Sequence, residues 1–241
     1  MGTRNDRVSG NDARSSIMRH SFTIPIAIIL GGIVVAGSVY LSLREPSTSS
    51  GNGNPSLVRP VSSDDHILGN PAAPVMIVEY SDFDCEYCKN FDDTLRQIIA
   101  SEGAGGEVAW VYREFPLSEI HPNAFPNARA AECSAKVAGN DAFWKFTSAL
   151  FASQPINPSD YGTVAAAAGI SGDAFAICYA SASTTLDARI NADRQNAFDV
   201  GAQGTPYSLI VVNGKTPVVM DGAFSYDAVK ELVDEALQGV K

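Results

Sequence analysis

The stretch that decides the fold is residues 75–88, which read Val-Met-Ile-Val-Glu-Tyr-Ser-Asp-Phe-Asp-Cys-Glu-Tyr-Cys. Its first four residues form a continuous apolar run that polar residues close, a pattern typical of a central strand buried on both faces. Two cysteines, Cys85 and Cys88, follow the strand with two residues between them. This spacing restricts the chemistry of the chain more than any bulk property does.

The residues that follow predict a βαβ unit. Helical spacing begins at Cys85 and ends at the glycines of residues 103–106. Residues 108–112, Val-Ala-Trp-Val-Tyr, then predict another strand. Because the connection is long, the two strands are expected to be parallel, with a right-handed crossover. The apolar stripe of the predicted helix consists of Phe91, Leu95, Ile98 and Ile99.

The rest of the domain predicts a helical insertion and a C-terminal ββα unit. Alanine-rich residues, at about 117–202, carry helical patterns with a break near residues 155–158. Residues 207–220 predict a β-hairpin whose second strand lies at the sheet edge. A closing helix follows Ser225, which is a suitable N-cap.

The N-terminal part predicts a membrane anchor. Residues 22–43 contain no charged residue, and a helix of this length covers roughly 33 Å, against roughly 30 Å of hydrocarbon in a bilayer. The arginine-rich residues 1–21 predict a cytoplasmic N-terminus. We therefore expect a single-pass protein in which a flexible linker, residues 44–63, connects the anchor to an extracytoplasmic domain, residues 64–241. A cleaved signal peptide is the alternative interpretation, although its apolar region usually has only about 7 to 15 residues.

The composition excludes several classes of protein. With 241 residues, 45% of them hydrophobic, the chain can form one globular domain beyond its leader. The net charge of −10 argues against a nucleic-acid partner, because such binding requires Lys and Arg to neutralise phosphates. We also expect no metal site, since there is no second Cys-x-x-Cys and the three histidines are scattered, at His20, His66 and His121.

Position gives the two neighbouring thiols different roles. Cys85 lies at the first turn of the predicted helix, where unpaired backbone N–H groups favour its thiolate, so we expect it to be the attacking thiol and to reach solvent. Cys88 lies three residues further along the same face and would be the resolving thiol. The negative charges of Asp82, Asp84 and Glu86 disfavour the Cys85 thiolate and so oppose the effect of the helix N-terminus. Since no cation lies between the two cysteines, the sign of the pKa shift of Cys85 stays open. A static disulfide or half of a zinc site is the alternative.

The order of these elements, with a Gly-Thr-Pro sequence at 204–206 ahead of the hairpin, resembles the thioredoxin fold. More narrowly, residues 78–88 and the helical insertion are similar to the DsbA-like thiol:disulfide oxidoreductases of bacterial envelopes. The resemblance runs from about Asp65 to the C-terminus. It implies an α/β domain with a central mixed sheet and flanking helices, and dithiol–disulfide exchange with no cofactor besides the redox-active disulfide.

The resemblance implies a proton-exchanging acid. Glu79 occupies the position of a buried carboxyl group beneath the thiols, which would exchange a proton with Cys88. A glutamate that faces solvent is the alternative. In DsbA proteins a lysine on the neighbouring strand accompanies this acid, and its nearest equivalent here is Val111 or Arg113.

The resemblance also implies a substrate-binding segment. Pro206 corresponds to the cis-proline that lies against the reactive sulfur, and the backbone of Thr205 would then pair with an extended substrate strand. An ordinary proline at the entrance of a strand is the alternative. His121, followed by proline, resembles a family loop residue and is assigned no chemistry.

The other two cysteines lie in the predicted helical insertion. Cys133 and Cys178 are flanked by alanine and aromatic residues. In an oxidising compartment two cysteines of one small subdomain pair more often than they stay free, so we expect a structural disulfide. A buried reduced pair is the alternative.

These features predict an enzyme that introduces disulfides into exported cysteine-containing proteins. A quinone-linked membrane protein of the DsbB type would reoxidise it, and we expect a monomer, without nucleic acid. A disulfide reductase or isomerase of the same fold is the first alternative. A tethered chaperone or metal-binding module without turnover is the second.

Overall fold

The chain forms five strands and seven α-helices within residues 53–181 and 184–240, the part that this computed structural model describes. The strands are β1 (His66–Gly69), β2 (Val75–Ser81), β3 (Val108–Glu114), β4 (Tyr207–Val212) and β5 (Val218–Asp221). The helices are α1 (Glu86–Ser101), α2 (Ala124–Ala138), α3 (Asn140–Ala152), α4 (Tyr161–Ala167), α5 (Gly172–Ser181), α6 (Thr184–Val200) and α7 (Tyr226–Gln238).

The five strands form one mixed sheet in the order β1-β3-β2-β4-β5. The central strand β2 pairs in parallel with β3 and antiparallel with β4. The predicted βαβ unit, β2-α1-β3, is therefore confirmed. The predicted hairpin is confirmed as well, since β4 and β5 pair antiparallel and β5 lies at the sheet edge.

The opposite edge strand, β1, is not predicted by the sequence. It has only four residues and pairs antiparallel with β3. The side chain of Asn140 satisfies its outer edge, because the Asn140 amide oxygen accepts from the Ile67 N–H at 3.1 Å and its amide nitrogen donates to the Ile67 carbonyl at 2.8 Å. A strand held by tertiary contacts of this kind leaves little periodicity in the sequence.

The expected flexible linker at residues 44–63 is wrong for its last part. Residues 53–63 lie against the domain, where the Arg59 N–H donates to Asn196 at 3.0 Å and the Asn54 N–H donates to the Asp199 carbonyl at 2.9 Å. Gly53 approaches Gly201 so closely that a Cβ at residue 53 would collide with the backbone. The polar and glycine-rich composition that suggested a tether instead serves hydrogen bonding and close backbone approach.

The sheet has a core on each face. Alternate residues of β2, such as Val75 and Ile77, are buried with α1, α7 and helices of the insertion. Their neighbours Val78 and Tyr80 are buried on the other face, against α6. This alternation places side chains two residues apart on the same face, and it determines which polar groups lie beneath the cysteines.

The insertion, predicted at about 117–202, contains α2 to α6. The predicted break at residues 155–158 separates α3 from α4. The closing helix α7 begins after Ser225, whose hydroxyl accepts from the Ala228 N–H at 3.4 Å as expected of an N-cap.

The predicted cytoplasmic segment 1–21 and membrane anchor 22–43 lie outside the described residues. Within 53–181 and 184–240, no helix combines the length and the apolar character needed to cross a bilayer.

Candidate active site around Cys85 and Cys88

The two free cysteines lie at the junction between β2 and α1. Cys85 is the N-cap residue, with extended backbone angles and no side-chain cap, and Cys88 lies in the first turn of the helix. The N–H of Cys85 donates to the Asp82 carbonyl at 3.2 Å, which closes the turn between strand and helix. The reactive sulfur is thereby placed at the helix end, where backbone N–H groups lack intrahelical acceptors.

The surroundings of Cys85 favour its thiolate. A hydrogen bond from the Cys88 thiol lowers the pKa of Cys85 to about 6, and although burial opposes this shift, the Thr205 side chain and the N–H groups of Cys88 and Tyr87 add to it. The sign that the sequence left open is therefore a lowered pKa. Cys85 is only 4% exposed, so the expected access of solvent to this residue is small.

Cys88 shows the opposite shift. It has no exposed surface, and burial raises its pKa well above the usual value, with further contributions from the neighbouring Cys85 and from Glu79. At neutral pH the site therefore holds one ionised thiol and one protonated thiol, which suits an attacking and a resolving cysteine.

Glu79 is buried beneath the thiols, 1% exposed. One carboxyl oxygen accepts from the Trp110 indole N–H at 2.9 Å, and the other has no hydrogen-bond partner. Burial raises the pKa of Glu79 to about 8, the charge of Asp92 adds to the shift, and the nearby Ser81 hydroxyl opposes it. The alternative of a solvent-facing glutamate is wrong.

The expected equivalents of the DsbA lysine are wrong. Tyr112 lies opposite Glu79 in the parallel pairing, so Val111 and Arg113, its immediate neighbours, point to the other face of the sheet. Arg113 forms an ion pair there with Asp65, at 2.9 Å. No lysine or arginine therefore accompanies the acid from these positions, and its neighbour across the strand is a tyrosine.

Further polar side chains on the Glu79 face were missed by sequence reasoning. The hydroxyl groups of Ser81, Tyr112 and Ser208 are buried there and make no hydrogen bond. Ser81 is close enough to Cys88 and Glu79 to lower the pKa of each. The signal for Ser81 is its spacing, since it follows Glu79 by two residues on a strand. Ser208 could not be found in this way, because its position depends on the pairing of β4 with β2.

The Thr205–Pro206 segment lies beside the sulfur of Cys85. Its peptide bond is cis, and the Cys85 sulfur lies 3.5 Å from the Thr205 carbonyl oxygen. The structure thus brings together all five residues that the sequence predicts for the exchange site: Glu79, Cys85, Cys88, Thr205 and Pro206.

His121, which was assigned no chemistry, also belongs to this region. Its imidazole Nδ1 lies 2.8 Å from the carboxyl group of Asp82, three residues before Cys85. The loop that carries it follows β3, and only the tertiary structure brings the loop to the turn that precedes α1.

Cys133 and Cys178 form a disulfide that joins α2 to α5. The S–S distance is 2.08 Å, and both residues are buried. The alternative of a buried reduced pair is therefore wrong. The expected structural disulfide lies within the helical insertion.

Comparison with known proteins fits this arrangement. A family model described as thioredoxin matches residues 62–235. The chain belongs to the thioredoxin family. Membership confirms the expected α/β fold, and the helical insertion lies inside the matched region.

Relatives of this thioredoxin-family chain differ in length. Na(+)/H(+) antiporter NhaA 1 of Mycolicibacterium gilvum is 32% identical over 192 residues, which cover 79% of this chain and 29% of the antiporter. The chain thus spans less than a third of the antiporter's length. Disulfide bond formation protein D of Bacillus subtilis is 26% identical over 181 residues, which cover 72% of this chain and 77% of that protein.

Solved structures of DsbA-type proteins share the fold. Alpha-DsbA1 of Wolbachia pipientis superposes with a TM-score of 0.65 at 21% identity, covering 78% of this chain and 100% of that chain. BdbD of Bacillus subtilis gives a TM-score of 0.62 at 24% identity, covering 72% and 93%. The DsbA-like architecture expected from the sequence is therefore confirmed.

Proposed function

We propose that this protein is an extracytoplasmic thiol:disulfide oxidoreductase that forms disulfide bonds in exported proteins. The observation that carries the proposal is the opposite ionisation of two adjacent free thiols. The pKa of Cys85 is lowered to about 6, and that of the fully buried Cys88 is raised. At pH 7 most of Cys85 is then thiolate, a good leaving group when a substrate is released.

The exchange proceeds through a mixed disulfide. In the oxidised enzyme a client thiolate attacks the Cys85 sulfur, the Cys85–Cys88 bond breaks, and Cys88 leaves as a thiolate that takes up one proton. The second client thiolate then attacks the client sulfur of the mixed disulfide and releases Cys85 as a thiolate. The client loses two electrons and gains one disulfide, while the enzyme gains two electrons and becomes the dithiol form.

Glu79 is suited to deliver the proton that Cys88 requires. Its carboxyl group holds a proton at neutral pH because burial raises its pKa to about 8. The unpartnered carboxyl oxygen and the Ser81 hydroxyl lie on the cysteine side of the sheet. In the reverse step, the carboxylate form accepts the proton when the buried thiol has to ionise.

The segment at Thr205 and Pro206 is proposed to bind the client. The Thr205 carbonyl beside the reactive sulfur offers a backbone acceptor to an extended peptide that presents its cysteine to Cys85. Such pairing is independent of client sequence, which suits an enzyme acting on many exported proteins.

We propose a place at the outer side of the cytoplasmic membrane, with residues 22–43 as the single-pass anchor and a quinone-linked, DsbB-type membrane protein as the reoxidant. The name of the B. subtilis relative, disulfide bond formation protein D, supports the activity. The antiporter relatives support a position beside a membrane. The protein is proposed to act as a monomer.

A trapping experiment tests the assignment of the two thiols. The Cys88→Ser variant of the full chain, mixed with a disulfide-containing client peptide, is expected to accumulate a mixed disulfide on Cys85, because the resolving thiol is absent. Non-reducing electrophoresis and peptide mass spectrometry locate the adduct. Adducts on Cys133 or Cys178, or none in wild type and variant alike, would refute the proposal.

A redox titration against glutathione tests the direction. A reduction potential near about −120 mV supports an oxidase, and one near about −270 mV supports a reductase.

A further inference from the structure

The loop between β3 and α2 carries a histidine to the reactive end of the sheet. The Nδ1 atom of His121 lies 2.8 Å from Oδ2 of Asp82. Asp82 is 1% exposed and its carboxyl group also accepts from the Leu117 N–H at 2.9 Å and from the Asp84 N–H at 2.8 Å. Asp82 is thus a fixed anchor for the imidazole ring.

The same aspartate is joined to the nucleophile. Its backbone carbonyl accepts from the Cys85 N–H at 3.2 Å. The loop is tied to the turn a second time, because the Asn123 N–H donates to the Asp84 carboxyl group at 3.1 Å. Residues 82–85 and 117–123 therefore form one hydrogen-bonded unit, in which His121 and Cys85 are both bonded to Asp82.

Charge links the same two side chains. Partial burial lowers the pKa of His121, but the hydrogen bond and charge of Asp82, followed by the charges of Cys85 and Asp84, raise it overall. The charged groups that raise the pKa of His121 are thus Asp82, Cys85 and Asp84. Cys85 in turn is influenced by Cys88, the Thr205 side chain and helix N–H groups.

We propose that His121, held by Asp82, is the cation that stabilises the Cys85 thiolate and thereby favours the reduced form of the dithiol. This inference rests on the proposed function and assigns a positioning residue to the same site. It answers a question raised by the sequence, in which no cation stands between the two cysteines. The tertiary structure supplies this histidine from a loop 36 residues downstream of Cys85.

The proposal requires a reciprocal effect. If the imidazolium stabilises the thiolate, the thiolate must stabilise the imidazolium to the same extent. In the oxidised protein Cys85 carries no charge, so His121 must lose its proton at a lower pH there than in the reduced protein. A histidine that only holds the loop in place through Asp82 would titrate alike in both states.

The first test compares His121→Gln with Arg194→Gln in the full chain. Arg194 is the matched control, because it pairs at 2.7 Å with the exposed Glu119, which lies on the same loop as His121, and Arg194→Gln also removes one positive charge. Thiolate absorbance near neutral pH should show an about tenfold lower thiolate-to-thiol ratio at Cys85 in His121→Gln. The equilibrium with glutathione should shift about fivefold toward the disulfide, or about 20 mV more reducing. Arg194→Gln should match wild type.

The second test uses the unmutated chain, so it does not depend on how a variant folds. NMR titration of the His121 ring protons, in the reduced and the oxidised protein, should give a higher pKa in the reduced protein. Equal values in the two states, or an unchanged Cys85 thiolate fraction in a folded His121→Gln, would overturn the inference while leaving the exchange activity intact. Loss of the proposed function would appear differently, as a wild-type Cys85 that does not react with glutathione at all.

Discussion

The side chains around Arg113 and those beneath the cysteines, on opposite faces of the central sheet, differ in their hydrogen bonding. On the α6 face, the fully buried Arg113 has a partner for every guanidinium nitrogen, among them Asp65, Tyr80 and Asn196. On the α1 face, beneath the cysteines, Glu79, Ser81, Tyr112 and Ser208 each have an oxygen without a partner, and both carboxyl oxygens of Glu114, at the end of β3, also lack one.

The difference assigns a structural role to the side chains around Arg113 and a chemical role to those around Glu79. A buried charge with complete hydrogen bonding contributes to one fixed arrangement, and removing one partner is costly. Buried polar groups without partners are costly in themselves, and two of them, Glu79 and Ser81, lie next to a thiol that has to exchange a proton. The predictions below test whether stability resides on the Arg113 face and proton exchange on the Glu79 face.

The largest expected effect is on the Arg113 face. Arg113→Met should lower the free energy of unfolding by about 3–5 kcal/mol, because it leaves Asp65 buried without its ion-pair partner. Denaturant unfolding measures this, with Arg129→Met as the control, since the partly exposed pair of Arg129 with Asp187 should contribute about 1 kcal/mol or less. A similar loss in both variants would remove the distinction between buried and surface pairs.

The next largest expected effect is the pH dependence that Glu79 gives to the free energy of unfolding. The folded protein keeps the Glu79 proton up to a pKa of about 8, whereas the unfolded chain loses it near 4.5. The folded state is therefore penalised progressively as pH rises from 4.5 to 8. Relative to wild type, Glu79→Gln should gain about 3 kcal/mol in the free energy of unfolding between pH 5 and pH 8.

Urea unfolding of both proteins at several pH values provides the measurement for Glu79. The same variant should slow the proton-dependent release of Cys88 at neutral pH. A constant stability difference across this pH range would mean that Glu79 is already ionised when folded.

The smallest effect comes from a matched pair of tyrosines. Tyr80 donates to Asn196 at 2.6 Å and accepts from Arg113 at 3.2 Å, whereas the Tyr112 hydroxyl has no partner. Tyr80→Phe should lower the free energy of unfolding by about 1–2 kcal/mol, and Tyr112→Phe should change it by about 0.5 kcal/mol or less. Thermal unfolding of the two variants distinguishes them, and equal losses would contradict the contrast between the faces.

Local sequence signals predicted much of the fold and the centre of the site. The apolar run at residues 75–78, the helical spacing after Cys85 and the hairpin at 207–220 each act over a few residues, so their elements could be read without tertiary information. The short strand β1 and the docked residues 53–63 could not, because contacts with Asn140, Asn196 and Arg113 hold them in place.

The sequence by itself determined which atoms react: two thiols three residues apart at the start of a helix, with a carboxyl group on the strand before it. Those relations are local, and backbone geometry fixes them. Only the tertiary structure decided how the thiols ionise and which residues surround them. The burial of Cys88, the pairing of Glu79 with Trp110 rather than with a cation, and the arrival of His121 beside Asp82 all depend on strand register and loop docking. Electrostatic energies depend on distance and solvent access, which arise from segments far apart in the chain.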